Sequence, residues 1–238
     1  MEAGKSWLVS VSPRWAVEPS SSTALVGATV VLDCSARGFP EPALTWMKAK
    51  DKAAQDYQPV VLDGVRISQA PNGSLILMSA TAADAGWLIC RAANSVGKPL
   101  SKFVQLIVHA PARVVTEGGR ITGHAGQTVS VTCEATGDEP LTITWLRHHV
   151  PVVPTQRMTV RETGTAGVVR ALLEFRAVTA TDAGPYTCQA SNPHGHHSQV
   201  FQIAIIGEAL NTYKATGTDT CTSTRIHAAM HKNMQTTP

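Results

Sequence analysis

The sequence predicts an all-β chain, one strand-rich unit present twice in tandem and followed by a disordered tail. Three observations lead there. The first is a repeat: Cys34 and Cys133 are 99 residues apart, as are Trp46 and Trp145, Gly27 and Gly126, and Gly38 and Gly137. Further on, Asp84 and Asp182, Gly86 and Gly184, and Cys90 and Cys188 are each 98 apart, so one deletion explains the change of offset. The second is a period of two in the apolar residues, the signature of half-buried strands. The third is composition. Among 238 residues, 18 Gly and 14 Pro favour short strands and turns over long helices.

The strands follow in order. Gly27–Cys34 alternates with Val30, Leu32 and Cys34 on one face, and Gly126–Cys133 does the same with Val129, Val131 and Cys133. Leu44 and Trp46 mark the next strand of the first unit, Ile143 and Trp145 that of the second. Asn72-Gly73 is a hairpin signal leading into Ser74–Leu77, whose counterpart carries Leu173 and Phe175. Each unit then reaches Asp-Ala-Gly before its second cysteine, Cys90 or Cys188, and closes with an apolar strand, Phe103–Val108 or Val200–Ile206.

Composition bounds the function. With 43% hydrophobic and 16% charged residues the chain buries a core. Its 20 basic and 17 acidic residues, net +3, are too even for a polyanion footprint, so no nucleic-acid partner is expected. No apolar run approaches the roughly 18–20 residues of a membrane helix, and the first 15 residues lack the apolar core of a signal peptide. No nucleophile elbow, phosphate-binding loop or His-Glu-x-x-His motif stands in the chain, so no enzyme, cofactor or catalytic residue is expected. His194, His196 and His197 cluster in one turn and His148 and His149 in another, and no metal site is expected from them.

Cysteine, tryptophan 12 residues on, and a second cysteine 55 or 56 residues after the first is a spacing that resembles immunoglobulin domains. Asp-x-Gly-x-Tyr-x-Cys, complete in Asp182–Cys188, resembles the intermediate (I-set) type. The resemblance covers residues 13–206 and implies two tandem I-set β-sandwiches. It also implies the disulfides Cys34–Cys90 and Cys133–Cys188, each worth about 4 kcal/mol on the chain-entropy model. The alternative is reduced core cysteines, as in intracellular muscle-type immunoglobulin arrays. Trp46 and Trp145 would pack on the bridges. Tyr186 would donate a buried hydroxyl bond to the backbone, which Leu88, at the same place in the first unit, cannot. That costs the first unit about 1 kcal/mol.

Val11-Ser-Pro-Arg-Trp-Ala-Val-Glu-Pro19 is similar to a junction in the Dscam (Down syndrome cell adhesion molecule) family. Gly38–Trp46, Asn72–Leu75, Gly137–Trp145 and Thr181–Tyr186 fit the same family. The tandem order resembles the last two immunoglobulin domains before the fibronectin repeats of an arthropod member. That implies a non-enzymatic plasma-membrane receptor for homophilic adhesion, axon guidance and neuronal self-recognition, with these two domains as a stalk on its extracellular side. Its partner would be a protein, either a second copy or another immunoglobulin-superfamily receptor. A secreted immune-recognition protein that binds microbes is the alternative.

The expected divisions are 1–12, the last-strand remnant of a preceding domain, 13–110 and 111–206, the two sandwiches, and 207–238, a Thr-rich disordered tail holding the odd cysteine, Cys221. Disulfides without a signal peptide suggest part of a longer chain, with any membrane attachment in its missing parts. Two surface features complete the reading. Asn72-Gly-Ser74 is an acceptor sequon for glycosylation. Strand parity turns Trp87 and Ile89 outward, with Met47 and Ile107 beside them, as a candidate adhesion patch.

Overall fold

The computed structural model describes residues 10–49 and 56–207. In the first domain these hold β1 (Val11–Val17), β2 (Ser22–Leu25), β3 (Val30–Leu32), β4 (Ser35–Phe39), β5 (Ala43–Ala49), β6 (Tyr57–Pro59), β7 (Ile67–Gln69), β8 (Leu75–Leu77), β9 (Gly86–Ala93) and β10 (Leu100–His109). The second holds β11 (Arg113–Val114), β12 (Gly119–His124), β13 (Val129–Thr136), β14 (Thr142–Arg147), β15 (Val150–Pro151), β16 (Met158–Thr165), β17 (Val168–Phe175), β18 (Gly184–Asn192) and β19 (Gly195–Ile206). The expected tail beyond residue 207, with Cys221, lies outside the described residues, as do residues 1–9 of the expected remnant. Val11 and Ser12 stand in β1, where Val11 pairs with Phe39, so that boundary falls inside the first strand of the domain.

Each domain is a two-layer sandwich. One layer of the first is β2-β10-β9-β5-β6 and of the second β12-β19-β18-β14-β15. The facing layer of the second domain is continuous, β11-β13-β17-β16, whereas the first divides into β1-β4 and β3-β8-β7. The difference begins at a turn. In the first domain the Ala70 carbonyl accepts from the Gly73 N–H, with Gly73 at φ +98°, and so ends the hairpin early. Ser74 then substitutes for ladder bonds: its buried hydroxyl accepts from the Cys34 N–H at 3.4 Å and donates to Asp33 at 3.1 Å.

Disulfides Cys34–Cys90 and Cys133–Cys188 join the layers, with Cα atoms 6.6 and 6.5 Å apart. All four cysteines are fully buried, and Trp46 and Trp145 lie in the same cores. The cores are filled differently. Trp145 meets Phe201 at 5.4 Å between ring centroids, and Phe175 meets Tyr186 edge-on at 5.2 Å. In the first domain Leu88 replaces the tyrosine, and the Trp46 indole donates to the Gly73 carbonyl at 2.8 Å. The corresponding nitrogen of Trp145 is buried without a partner among the described residues.

The corner before each second cysteine is built alike. The Tyr186 hydroxyl donates to the Asp182 carbonyl at 3.1 Å, a bond that Leu88 cannot make. Burial alone would raise the Asp84 carboxyl. The Arg66 guanidinium at 2.7 Å and the Thr81 N–H and hydroxyl, each at 2.8 Å, outweigh it and hold Asp84 below its usual value. Asp182 is held down in the same way, against burial, by the Thr179 N–H and hydroxyl and by Arg157.

Two outcomes are expected. Tyr186→Phe should lower the stability of the second domain by about 1 kcal/mol in urea unfolding. The unfolded chain titrates its aspartates near pH 3.9, above the folded values of Asp84 and Asp182. Their contribution is therefore complete above about pH 4 and is lost as pH falls through the lower folded values. Urea midpoints should stay flat from pH 7 to 5 and drop below about pH 4. Asp84→Asn should lower the midpoint at pH 7 and flatten the acid limb.

Candidate interaction surface and domain junction

The outer face of the β2-β10-β9-β5-β6 sheet carries the residues that strand parity selects. Trp46 pairs with Cys90 on the inner side, which leaves Met47, Ile89 and Phe103 as a cross-strand row on the outer side. The next row holds Tyr57, Ala49, Trp87 and Gln105. Tyr57 and Phe103 meet edge-on across the rows at 6.1 Å between centroids. Met47, Trp87 and Phe103 are half-buried, and Tyr57 and Ile107 are exposed.

The expected exposure of Ile89 needs correction. It faces outward but is only 2% exposed, because Met47 and Phe103 flank it on both neighbouring strands and a shallow hollow with Tyr57 and Arg91 closes around it. Ile89 is thus the floor of the patch. Phe103 and Tyr57 belong to it as well. The residue count holds no signal for Phe103, since Phe103 and Phe201 are themselves 98 residues apart, and the difference lies in pairing register. Ala190 pairs with His197, seven residues on, but Ala92 pairs with Leu100, eight residues on. That extra residue inverts the last strand relative to the 98-residue offset, so Phe201 is buried in the second core while Phe103 turns to the surface.

The two domains meet through three residues, Ala110, Pro111 and Ala112, between β10 and β11. Asn192, at the end of β18, clasps them. Its amide nitrogen donates to the Ala110 carbonyl at 2.8 Å and the Asp138 carbonyl at 3.0 Å. Its oxygen accepts from the Ala112 N–H at 3.1 Å and the His194 N–H at 3.0 Å. Gly137 makes room, since a Cβ there would lie 3.0 Å from the Ala112 Cα. The first domain repeats the device: Asn94 donates to the carbonyls of Val11 at 2.9 Å and Pro40 at 2.8 Å.

Beside the clasp, the ring of His109 stacks on that of His194, centroids 3.8 Å apart and planes 15° from parallel. The His109 Nδ1 lies 2.8 Å from the Asp138 Oδ2, and the His194 Nε2 lies 3.8 Å from the same oxygen. The hydrogen bond from His109 is the main reason the Asp138 carboxyl is held below its usual value. His197 is engaged elsewhere, its Nδ1 accepting from the Val114 N–H at 3.2 Å. Asn72 is exposed in its turn, where its side-chain oxygen accepts from the Ser74 N–H at 3.1 Å.

Two family models match this chain, immunoglobulin domain over residues 12–94 and immunoglobulin I-set domain over residues 112–205. With both sandwiches and both inter-sheet disulfides in place, the chain belongs to the immunoglobulin superfamily. Within it the similarity is to the Dscam cell adhesion molecules. Cell adhesion molecule Dscam2 of Drosophila melanogaster is 31% identical over 83% of this chain, and cell adhesion molecule DSCAM of Gallus gallus 30% over 83%. The chain spans about a tenth of the length of these relatives, 10% in each case. Among solved structures, the N-terminal four immunoglobulin domains of Dscam1 isoform 9.44 superpose with a TM-score of 0.57 at 26% identity, over 84% of this chain and 47% of that one.

Asn192→Ala should loosen the join without unfolding either domain. Hydrogen exchange at the Ala112 and His194 amides should quicken about tenfold, the equivalent of ~1.4 kcal/mol.

Proposed function

We propose that these two domains are a stalk segment of a cell-surface adhesion receptor, acting by presenting surface and setting orientation and without enzymatic chemistry. The observation that carries this is the Asn192 clasp. It ties Ala110 and Ala112 of the three-residue join to the end of β18 and to the loop at Asp138. Proline at 111 restricts the join further. The two disulfides support an oxidising, extracellular setting over a muscle-type intracellular array. A place directly before fibronectin repeats, an arthropod origin, and roles in axon guidance and self-recognition belong to this same reading, by likeness to Dscam.

A second reading has its own observation. The patch of Met47, Tyr57, Trp87 and Phe103 over buried Ile89 is apolar, crosses four strands and would suit a homophilic contact. Sedimentation equilibrium from about 1 to 100 μM separates the two. The stalk reading expects a monomer throughout. A reversible dimer that Phe103→Ser abolishes, with the thermal unfolding midpoint kept, would overturn it in favour of the patch.

A further inference from the structure

We propose that His109, Asp138 and His194 form a binding site for a divalent transition-metal ion, zinc foremost, that fastens the first domain to the second. His109 ends the last strand of the first domain, while Asp138 and His194 lie in two loops of the second. Their ligand atoms all lie within 4.8 Å of one another, and each residue is half-buried. Tetrahedral zinc with arms of 2.0–2.1 Å places its ligands about 3.3 Å apart. The distances at the Asp138 Oδ2, 2.8 Å to His109 and 3.8 Å to His194, straddle that value.

Two imidazoles and a carboxylate suit zinc, copper(II) or nickel(II). Calcium and magnesium, which take oxygen ligands, do not fit. An aspartate is ionised at neutral pH, as a metal ligand must be. An outer shell is in place too, since Asn192 bonds the Asp138 carbonyl and the His194 N–H and so fixes the backbone of both ligands. A water can fill the open fourth position.

Binding changes two things in the resting arrangement. The metal takes the place of the proton between the His109 Nδ1 and the Asp138 Oδ2, which passes to solvent and leaves the neutral ring protonated at Nε2. The stacked rings must also splay, because each nitrogen lone pair lies in its ring plane. Since the ligands come from two domains, an ion held here stabilises their mutual orientation by mass action. The expected absence of a metal rested on the histidines within one unit. Asp138 and His194 acquire their third partner only when the join brings His109 over them.

The test uses the full chain, with zinc chloride titrated by calorimetry and cobalt(II) followed by visible absorption. The other histidines set the background, measured on a His109→Gln, Asp138→Asn, His194→Gln triple variant whose thermal unfolding is checked without metal. The expected result is one zinc equivalent in the wild type beyond that background, and cobalt bands of tetrahedral intensity absent from the triple variant. Calcium should give no heat. Asn192→Ala should weaken zinc binding about tenfold or more. Equal zinc binding by wild type and triple variant, or none by the wild type at about 100 μM, would overturn the site and leave the three side chains a hydrogen-bonded clasp.

Discussion

Strand parity in both domains hangs on one constraint, the disulfide that joins the two layers of each sandwich. Once Cys90 and Cys188 point inward, every second residue of their strands is committed to the core and the rest to solvent. Trp46 and Trp145 follow because they pair with those cysteines across the sheet. Leu88 and Tyr186 follow because they stand two residues before them. The outward rows, Met47 with Ile89 and Phe103 among them, are what remains when the inward set has been fixed.

Around that shared frame the domains solve the same packing problem by different means. The second relies on aromatic rings, with Phe175, Tyr186 and Phe201 beside its tryptophan. The first has smaller aliphatic side chains at those positions and compensates with polar bonds, one from the Trp46 indole to the Gly73 carbonyl and others from the buried Ser74 hydroxyl. Its facing layer is the divided one, β1-β4 and β3-β8-β7. The clasp asparagines are common to both, since a chain arriving at a sandwich leaves carbonyls at its mouth that need donors.

Much of this was legible in the residue order. The repeat, the cysteine pairs, the tryptophans and the corner at Asp182 and Tyr186 depend on spacings along single strands, and spacing is what a sequence displays. The patch was legible in part. Met47, Trp87 and Ile107 came from parity alone, but parity says nothing about cover, and Ile89 lies under its neighbours. Phe103 escaped because its direction depends on a turn one residue longer than its twin. Tyr57 escaped because its short strand carries no alternation to reveal it. The grouping of His109 with Asp138 and His194 was hidden for a plainer reason, as its members are 29 and 85 residues from the first and meet only across the join.

The inverted last strand has a consequence for how such a chain can change over generations. Two tandem copies invite unequal recombination. An exchange that joined the first unit up to Leu100 to the second unit from Gln199 would keep the 98-residue offset. It would also carry the longer turn into a strand built for the shorter one. Phe201 and Ile203, now buried, would face solvent, and Gln202 would face the disulfide. The hybrid would lose its core while keeping every motif that marks the repeat. The two copies are therefore exchangeable as whole domains but not across that turn, where their pairing registers differ by one residue.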